Sequence, residues 1–196
     1  MNIVFDHVTK RFGDKKILED FSFTLPLTGI TALMGPSGIG KTTLLRLMTG
    51  LEKADRGTVT GCPAKYSFLF QENRLLPFET ALENAALVSD PETAARWLNT
   101  FSLSDEQNAY PKELSGGMQR RVALARAFSY PGELLILDEP LKGLDDRLRQ
   151  EIFSVFLREK ETRPILLVTH DTEEARRLNA EIYQVSGQPL QIEKMN

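Results

Sequence analysis

The chain has 196 residues, enough for one sizeable core with a small appended part and too few for two independent full-size domains. Hydrophobic residues make up 41% and charged residues 26%, which excludes a disordered or fibrous chain. The net charge is -3 with both signs mixed along the sequence, so no basic stripe is available to nucleic acid, which is excluded as a partner.

The N-terminal residues 1–10 mix acidic and polar residues with apolar ones, without the basic start and apolar run of a signal peptide. Val4, Val8, residues 17–25 and residues 30–34 read as short strands, with turn chemistry at Gly13-Asp14 and over 26–29. From Lys41 the pattern turns helical through Leu44, Leu45, Leu47, Met48 and Leu51, with a stop near Gly50. The lone cysteine, Cys62, cannot close an internal disulfide and reads as a small apolar side chain near a turn.

Residues 64–70 form a second apolar strand. Residues 79–88 and 91–101 then read as helices with no strand between them, so 72–113 reads as a helical insert. A helix follows from Ser115 to about Ser129, a buried strand over 134–137, and an amphipathic helix over 145–161 with Ile152, Val155 and Phe156 inward. A buried strand over 164–169 and a helix over 171–178 come last. Apolar strands alternating with helices predict a parallel sheet covered on both faces, with chemistry at the carboxyl ends of its strands. No stretch approaches the roughly 20 apolar residues that span a bilayer, so a cytoplasmic chain is expected, with any membrane role coming through a partner.

Between the strand ending at Met34 and the helix beginning at Lys41 lies Gly35-Pro36-Ser37-Gly38-Ile39-Gly40-Lys41-Thr42. Two glycines with four residues between them, followed by lysine and threonine, are the pattern that cradles nucleotide phosphates. Glycine lets backbone N–H groups turn toward phosphate oxygens, and the following helix adds its positive N-terminal end. Lys41 is expected to reach the β- and γ-phosphates and Thr42 to hold magnesium.

The second chemical feature is Asp138-Glu139 at the end of Leu134-Leu135-Ile136-Leu137, since a buried strand has no reason to end in paired acids unless a cation or a proton awaits them. Neighbouring strand residues point oppositely, which gives the two acids different tasks. Asp138 suits the surroundings of magnesium and Glu139 suits the attacking water. These two features indicate an ATP- or GTP-using enzyme and leave its task open.

The segment Leu114-Ser115-Gly116-Gly117-Met118 resembles the signature of the ATPases of ATP-binding-cassette (ABC) transporters. Ser115 is a good helix N-cap, and the two glycines let backbone N–H groups approach an anion. The resemblance covers essentially the whole chain, with Phe12 where the family stacks an aromatic ring on adenine, Gln71 at its Q-loop, Leu144-Asp145 at its D-loop and His170 at its switch histidine. It implies an α/β fold: a RecA-like P-loop NTPase core with a small antiparallel β subdomain and an inserted helical subdomain, residues 1–71 and 114–196 forming the core and 72–113 the insert. It implies ATP and Mg2+ as cofactors. The expected nucleotide ligands are Phe12, Gly35, Pro36, Ser37, Gly38, Ile39, Gly40, Lys41, Thr42, Thr43, Ser115, Gly116 and Gly117. Glu139, His170, Lys41 and Gln71 are the expected catalytic residues, and Thr42, Gln71 and Asp138 the expected metal ligands.

The resemblance further implies a head-to-tail dimer with a second copy or a homologous ATPase subunit, in which Ser115 of one chain completes the γ-phosphate site of the other. Integral membrane permease subunits and an extracytoplasmic solute-binding protein are the implied partners, and the inner face of the cell membrane the implied location. Gln71-Glu72-Asn73-Arg74-Leu75-Leu76-Pro77 is similar to the same loop in importers of the nitrate, sulfonate and taurine group, and no C-terminal regulatory domain is expected. Met118 in place of the signature glutamine, Lys142-Gly143 in place of a small pair, and the short insert depart from the family pattern. Two other readings are weighed: a soluble ABC-type ATPase without a transporter, and a nucleotide kinase, which would leave residues 114–118 unexplained.

Overall fold

A computed structural model describes residues 1–195. They divide into two units, residues 1–64 with 164–195 and residues 65–163.

The first unit opens with a hairpin of two long strands. β1 (Asn2–Phe12) and β2 (Lys15–Pro26) pair antiparallel around Gly13-Asp14, with Phe5 opposite Phe23 and Phe12 opposite Lys15. β4 (Arg56–Thr60) pairs with the other edge of β1. These strands exceed the short segments that apolar residues alone mark, because each continues outward through polar residues on the solvated face. Lys10 is the exception, buried in β1, where its Nζ donates to Glu52 Oε1 at 2.7 Å and Lys53 O at 2.8 Å.

β3 (Ile30–Met34) is buried at all five positions. It lies parallel to β7 (Ile165–Thr169) on one side and β8 (Glu181–Ser186) on the other, and β9 (Gln191–Lys194) runs antiparallel to β8. Unbroken burial along β3 and β7, with the Ile-Leu-Leu-Val run of β7, marks strands covered on both faces. Helix α1 (Lys41–Met48) buries Leu44, Leu45, Leu47 and Met48, and α6 (Thr172–Arg177) follows β7 with Asp171 as its N-cap.

In the second unit β5 (Tyr66–Leu69) lies parallel to β6 (Leu134–Asp138), with Leu69 opposite Leu137. Between them come α2 (Ala81–Ala86), α3 (Pro91–Thr100), a 3-10 turn at Pro111–Glu113 and α4 (Gly116–Ser129). Each α-helix starts on a side-chain cap: Thr80 with Glu83 as a capping box, Asp90 before Pro91, and Ser115. α5 (Asp146–Glu159) starts on Asp145 and buries Ile152, Phe153, Val155 and Phe156. Trp97, Phe101, Phe128 and Phe156 stack and edge together at ring separations of 4.9 to 5.9 Å, joining α3, α4 and α5.

Buried Asn84 of α2 shapes the loop before it. Its Oδ1 accepts from Leu76 N at 2.7 Å, and its Nδ2 donates to the carbonyls of Leu76, Glu79 and Thr80 at 3.0 to 3.1 Å. That closed network satisfies a fully buried amide and leaves Phe78 88% exposed at the loop's crest. Among the described residues no helix is long and apolar enough to cross a membrane.

Candidate functional site

In the first unit the glycine loop runs from the carboxyl end of β3 into α1, and its glycines answer distinct steric demands. A Cβ on Gly35 would lie 2.4 Å from the Val185 carbonyl oxygen of β8, so no other residue lets the chain leave β3 along this path. Gly40, at φ +122°, would bring a Cβ within 2.7 Å of Ile17. Gly38 adopts φ +76° and faces open space.

Gly40 is the N-cap of α1 and supplies no side-chain hydrogen bond to it, and a helix start of this kind, carrying the positive end of the helix dipole, suits an anion. The buried Lys41 side chain folds over the same loop, its Nζ donating to Gly35 O at 2.7 Å and Pro36 O at 2.9 Å. An anion entering the loop would offer that ammonium a charged acceptor, and a stronger one than these carbonyls.

Other sequence-predicted residues of this unit lie at the same end of the strands. Met34 is in register with Thr169, so Gly35 and His170 leave neighbouring parallel strands at one level. His170 is exposed, between Thr169, which donates to Glu174 at 2.6 Å, and Asp171, which caps α6. Phe12 is 47% exposed at the tip of the β1–β2 hairpin. Its partner across the hairpin, Lys15, donates to Gly38 O at 3.4 Å, tying that tip to the glycine loop.

The second unit repeats the arrangement. Leu69 is level with Leu137, so Gln71, exposed, and Glu139, buried, each stand two residues beyond that pair of the neighbouring parallel strands. Asp138 is the last residue of β6 and is 2% exposed. Glu139 lies outside the strand, which corrects the strand-alternation argument: its direction is set by a left-handed turn at φ +48°. For a residue with a Cβ that conformation costs about 1 to 2 kcal/mol and must be held by its surroundings. Lys142 Nζ stands 3.7 Å from the Glu139 carboxylate.

What holds the turn is Arg120 of α4, a residue that sequence reasoning missed. Its Nε donates to Pro140 O at 3.1 Å, one terminal nitrogen to Asp138 O at 2.6 Å and Glu139 O at 2.8 Å, and the other to Phe70 O at 2.7 Å and to Gln71 O and Asn73 Oδ1 at 3.3 Å. Desolvation pulls its pKa down to about 10, against the opposing pull of Asp138 and Glu139, so it stays charged at neutral pH. Nothing in the sequence distinguishes this arginine from Arg121 beside it.

Ser115 is exposed and caps α4 by accepting from Met118 N at 3.2 Å. Gly116 has open space where a side chain would stand, and a Cβ on Gly117 would lie 3.4 Å from Gly143 O. The start of α4 therefore offers backbone amides on an open surface.

Among the described residues no group of three or more His, Cys, Asp or Glu could hold a metal ion by itself. The Thr42 hydroxyl in the first unit and the Asp138 carboxylate in the second are each oxygen donors of the kind magnesium takes, an ion that commonly uses one or two protein oxygens and completes its shell with phosphate oxygens and water.

The family model described as "ABC transporter" matches residues 18–142. An aliphatic sulfonates import ATP-binding protein, SsuB 1 of Pseudomonas savastanoi pv. phaseolicola, is 38% identical over 96% of this chain and 81% of its own length. The formylaminopyrimidine import ATP-binding protein ThiZ of Halalkalibacterium halodurans is likewise 38% identical, with the same two coverages of 96% and 81%. Among solved structures, the dimeric ABC transporter cassette MJ0796 superimposes with a TM-score of 0.85 at 27% identity, covering 99% of both chains. A post-hydrolysis state of that cassette bound to ADP and Pi gives 0.84 at 28% identity, with the same coverage.

Proposed function

The chain belongs to the ABC transporter family, and from that premise we propose that it couples ATP binding and hydrolysis in a head-to-tail dimer to solute import through membrane permease subunits. It is an ATPase with the α/β, RecA-like P-loop fold. The observation that carries the reading is the glycine loop between β3 and α1, with a helix start behind it and the Lys41 ammonium folded over it. Import is supported by relatives that are themselves named import ATP-binding proteins.

In this reading the amides of residues 35–43 and the Lys41 ammonium bind the β- and γ-phosphates, and Phe12 stacks on adenine. Thr42, Asp138 and Gln71 would hold magnesium, which when bound neutralises charge developing on the phosphate oxygens. Glu139 orients and deprotonates the attacking water, and His170 holds the γ-phosphate by a hydrogen bond. Ser115, Gly116 and Gly117 act in trans, on the nucleotide of the second chain. Residues 1–71 and 114–196 serve as the ATP-binding core and 72–113 as the helical subdomain that moves with Gln71.

The exposed Leu76 and Phe78, on the segment after Gln71, support a contact with a permease at the inner face of the membrane. A solute-binding protein outside the membrane completes the proposed system. The reading is tested with Glu139→Gln, expected to bind ATP normally, accumulate as a nucleotide-bound dimer in size-exclusion chromatography and lose at least ~100-fold in turnover. Undiminished turnover sinks the role given to Glu139.

A further inference from the structure

Arg120 grips more than a loop. The peptide groups on either side of the Glu139 Cα end in the carbonyls of Asp138 and Glu139, and both accept from one guanidinium nitrogen. Those on either side of the Gln71 Cα end in the carbonyls of Phe70 and Gln71, and both accept from the other terminal nitrogen. Fixing both peptide planes around a Cα fixes the direction of its side chain. One planar group thus sets the aim of two residues at the ends of neighbouring strands, and holds Glu139 in a conformation its own sequence disfavours.

The guanidinium has five N–H donors in a rigid fork, and its six acceptors account for all of them. A lysine at the same place would bring the charge without the fork. Arg126, two turns on, is the natural comparison: it donates to Asn73 O at 2.7 Å and Arg74 O at 2.9 Å and has no bond to β6 or to residues 138–140 among those described.

We propose that Arg120 is a positioning residue for ATP hydrolysis, setting the backbone around Glu139 and Gln71 together so that the water-orienting carboxylate and the Q-loop residue keep one fixed relation. The proposal rests on the role given to Glu139 above. It also makes α4, which begins at Ser115, the element that ties a signature-bearing helix start to both residues.

The test compares Arg120→Lys, Arg120→Gln, Arg126→Ala and Glu139→Gln in the full chain, with turnover measured by phosphate release and divided by the Mg-ATP each preparation binds, so that any unfolded fraction drops out. Arg120→Lys is expected to lower kcat by ~10-fold or more with KM for ATP within about twofold, as misplacement of a catalytic group does. Arg120→Gln should do the same or worse, Arg126→Ala should keep kcat, and Arg120→Lys with Glu139→Gln should be no slower than Glu139→Gln alone.

Either Arg120 variant with unchanged kcat per bound nucleotide, or an Arg126→Ala loss equal to that of Arg120→Lys, overturns the proposal. The two failures are separable. Full turnover in Glu139→Gln removes the reading beneath the proposal, whereas full turnover in Arg120→Lys beside an inactive Glu139→Gln removes the proposal alone.

Discussion

The loop after β3 and the turn after β6 both aim chemistry at the end of a buried parallel strand, yet they are shaped by opposite means. The first is built by its own backbone: Gly35, Gly38 and Gly40 supply the conformations and the close approach, and Lys41 folds onto its own loop. The second is built from elsewhere, by the side chain of Arg120, 19 residues away from Glu139 in sequence. A self-shaped loop keeps its form while its glycines last. A clamped turn depends on one distant residue.

Substitutions separate the two. Gly35→Ala is expected to cost about 3 kcal/mol or more in urea unfolding, because a methyl group would meet the Val185 carbonyl rather than a side chain able to move aside. A loss under about 1 kcal/mol would mean that β8 yields and the loop is less self-contained than described. Asn84→Leu probes the other kind of loop, the one around residues 76–80 shaped by a side chain. It is expected to cost roughly 2 to 3 kcal/mol, since four loop groups lose their partner together.

Lys41→Ala should weaken ATP binding by roughly 100-fold in calorimetry, the scale of one or two charge-assisted hydrogen bonds, while leaving the loop's glycine-set form intact. In the thermal unfolding of the nucleotide-free chain Ser115→Ala registers as the loss of the α4 cap, expected at about 1 kcal/mol or a melting midpoint 2 to 4 °C lower. The smallest effect lies at His7, where the 2.6 Å bond to Asp20 raises the imidazole pKa above its ordinary value. A raised pKa means that the pair's contribution is complete below the ordinary value and fades as pH climbs through the raised one. Asp20→Asn should move the His7 titration in NMR back down, and an unmoved titration would remove Asp20 as the cause.

The same contrast explains what could be read from the sequence. The glycine loop, the strand before it and the helix after it were legible because glycine spacing is itself the geometry. Ser115 as the cap that starts α4, helices beginning near Asp145 and Asp171, and Ile152, Val155 and Phe156 as an inward face followed from side-chain chemistry acting within a few residues. β4 and β9 were missed because they are largely exposed strands, Arg-Gly-Thr-Val-Thr and Gln-Ile-Glu-Lys, that owe their form to pairing with β1 and β8. β8 was missed as well, its apolar residues too few to stand out against Glu181 and Gln184.

Asp138 and Glu139 were picked out by charge at a buried strand's end, but the reason they diverge was not visible. Strand alternation stops at Asp138, and the left-handed turn that follows depends on an arginine with no local pattern to mark it. Arg120 reads as one of two adjacent helix arginines until the fold brings residues 70–73 and 138–140 against it.

The loop crowned by Phe78 carries a consequence for assembly kinetics. Because Asn84 already holds its main chain in place, whatever docks on that ring meets a surface ordered beforehand and is spared the 1 to 2 kcal/mol per residue that freezing a flexible backbone costs. Encounter on such a surface does not wait for folding of the loop, so association should proceed in a single kinetic phase.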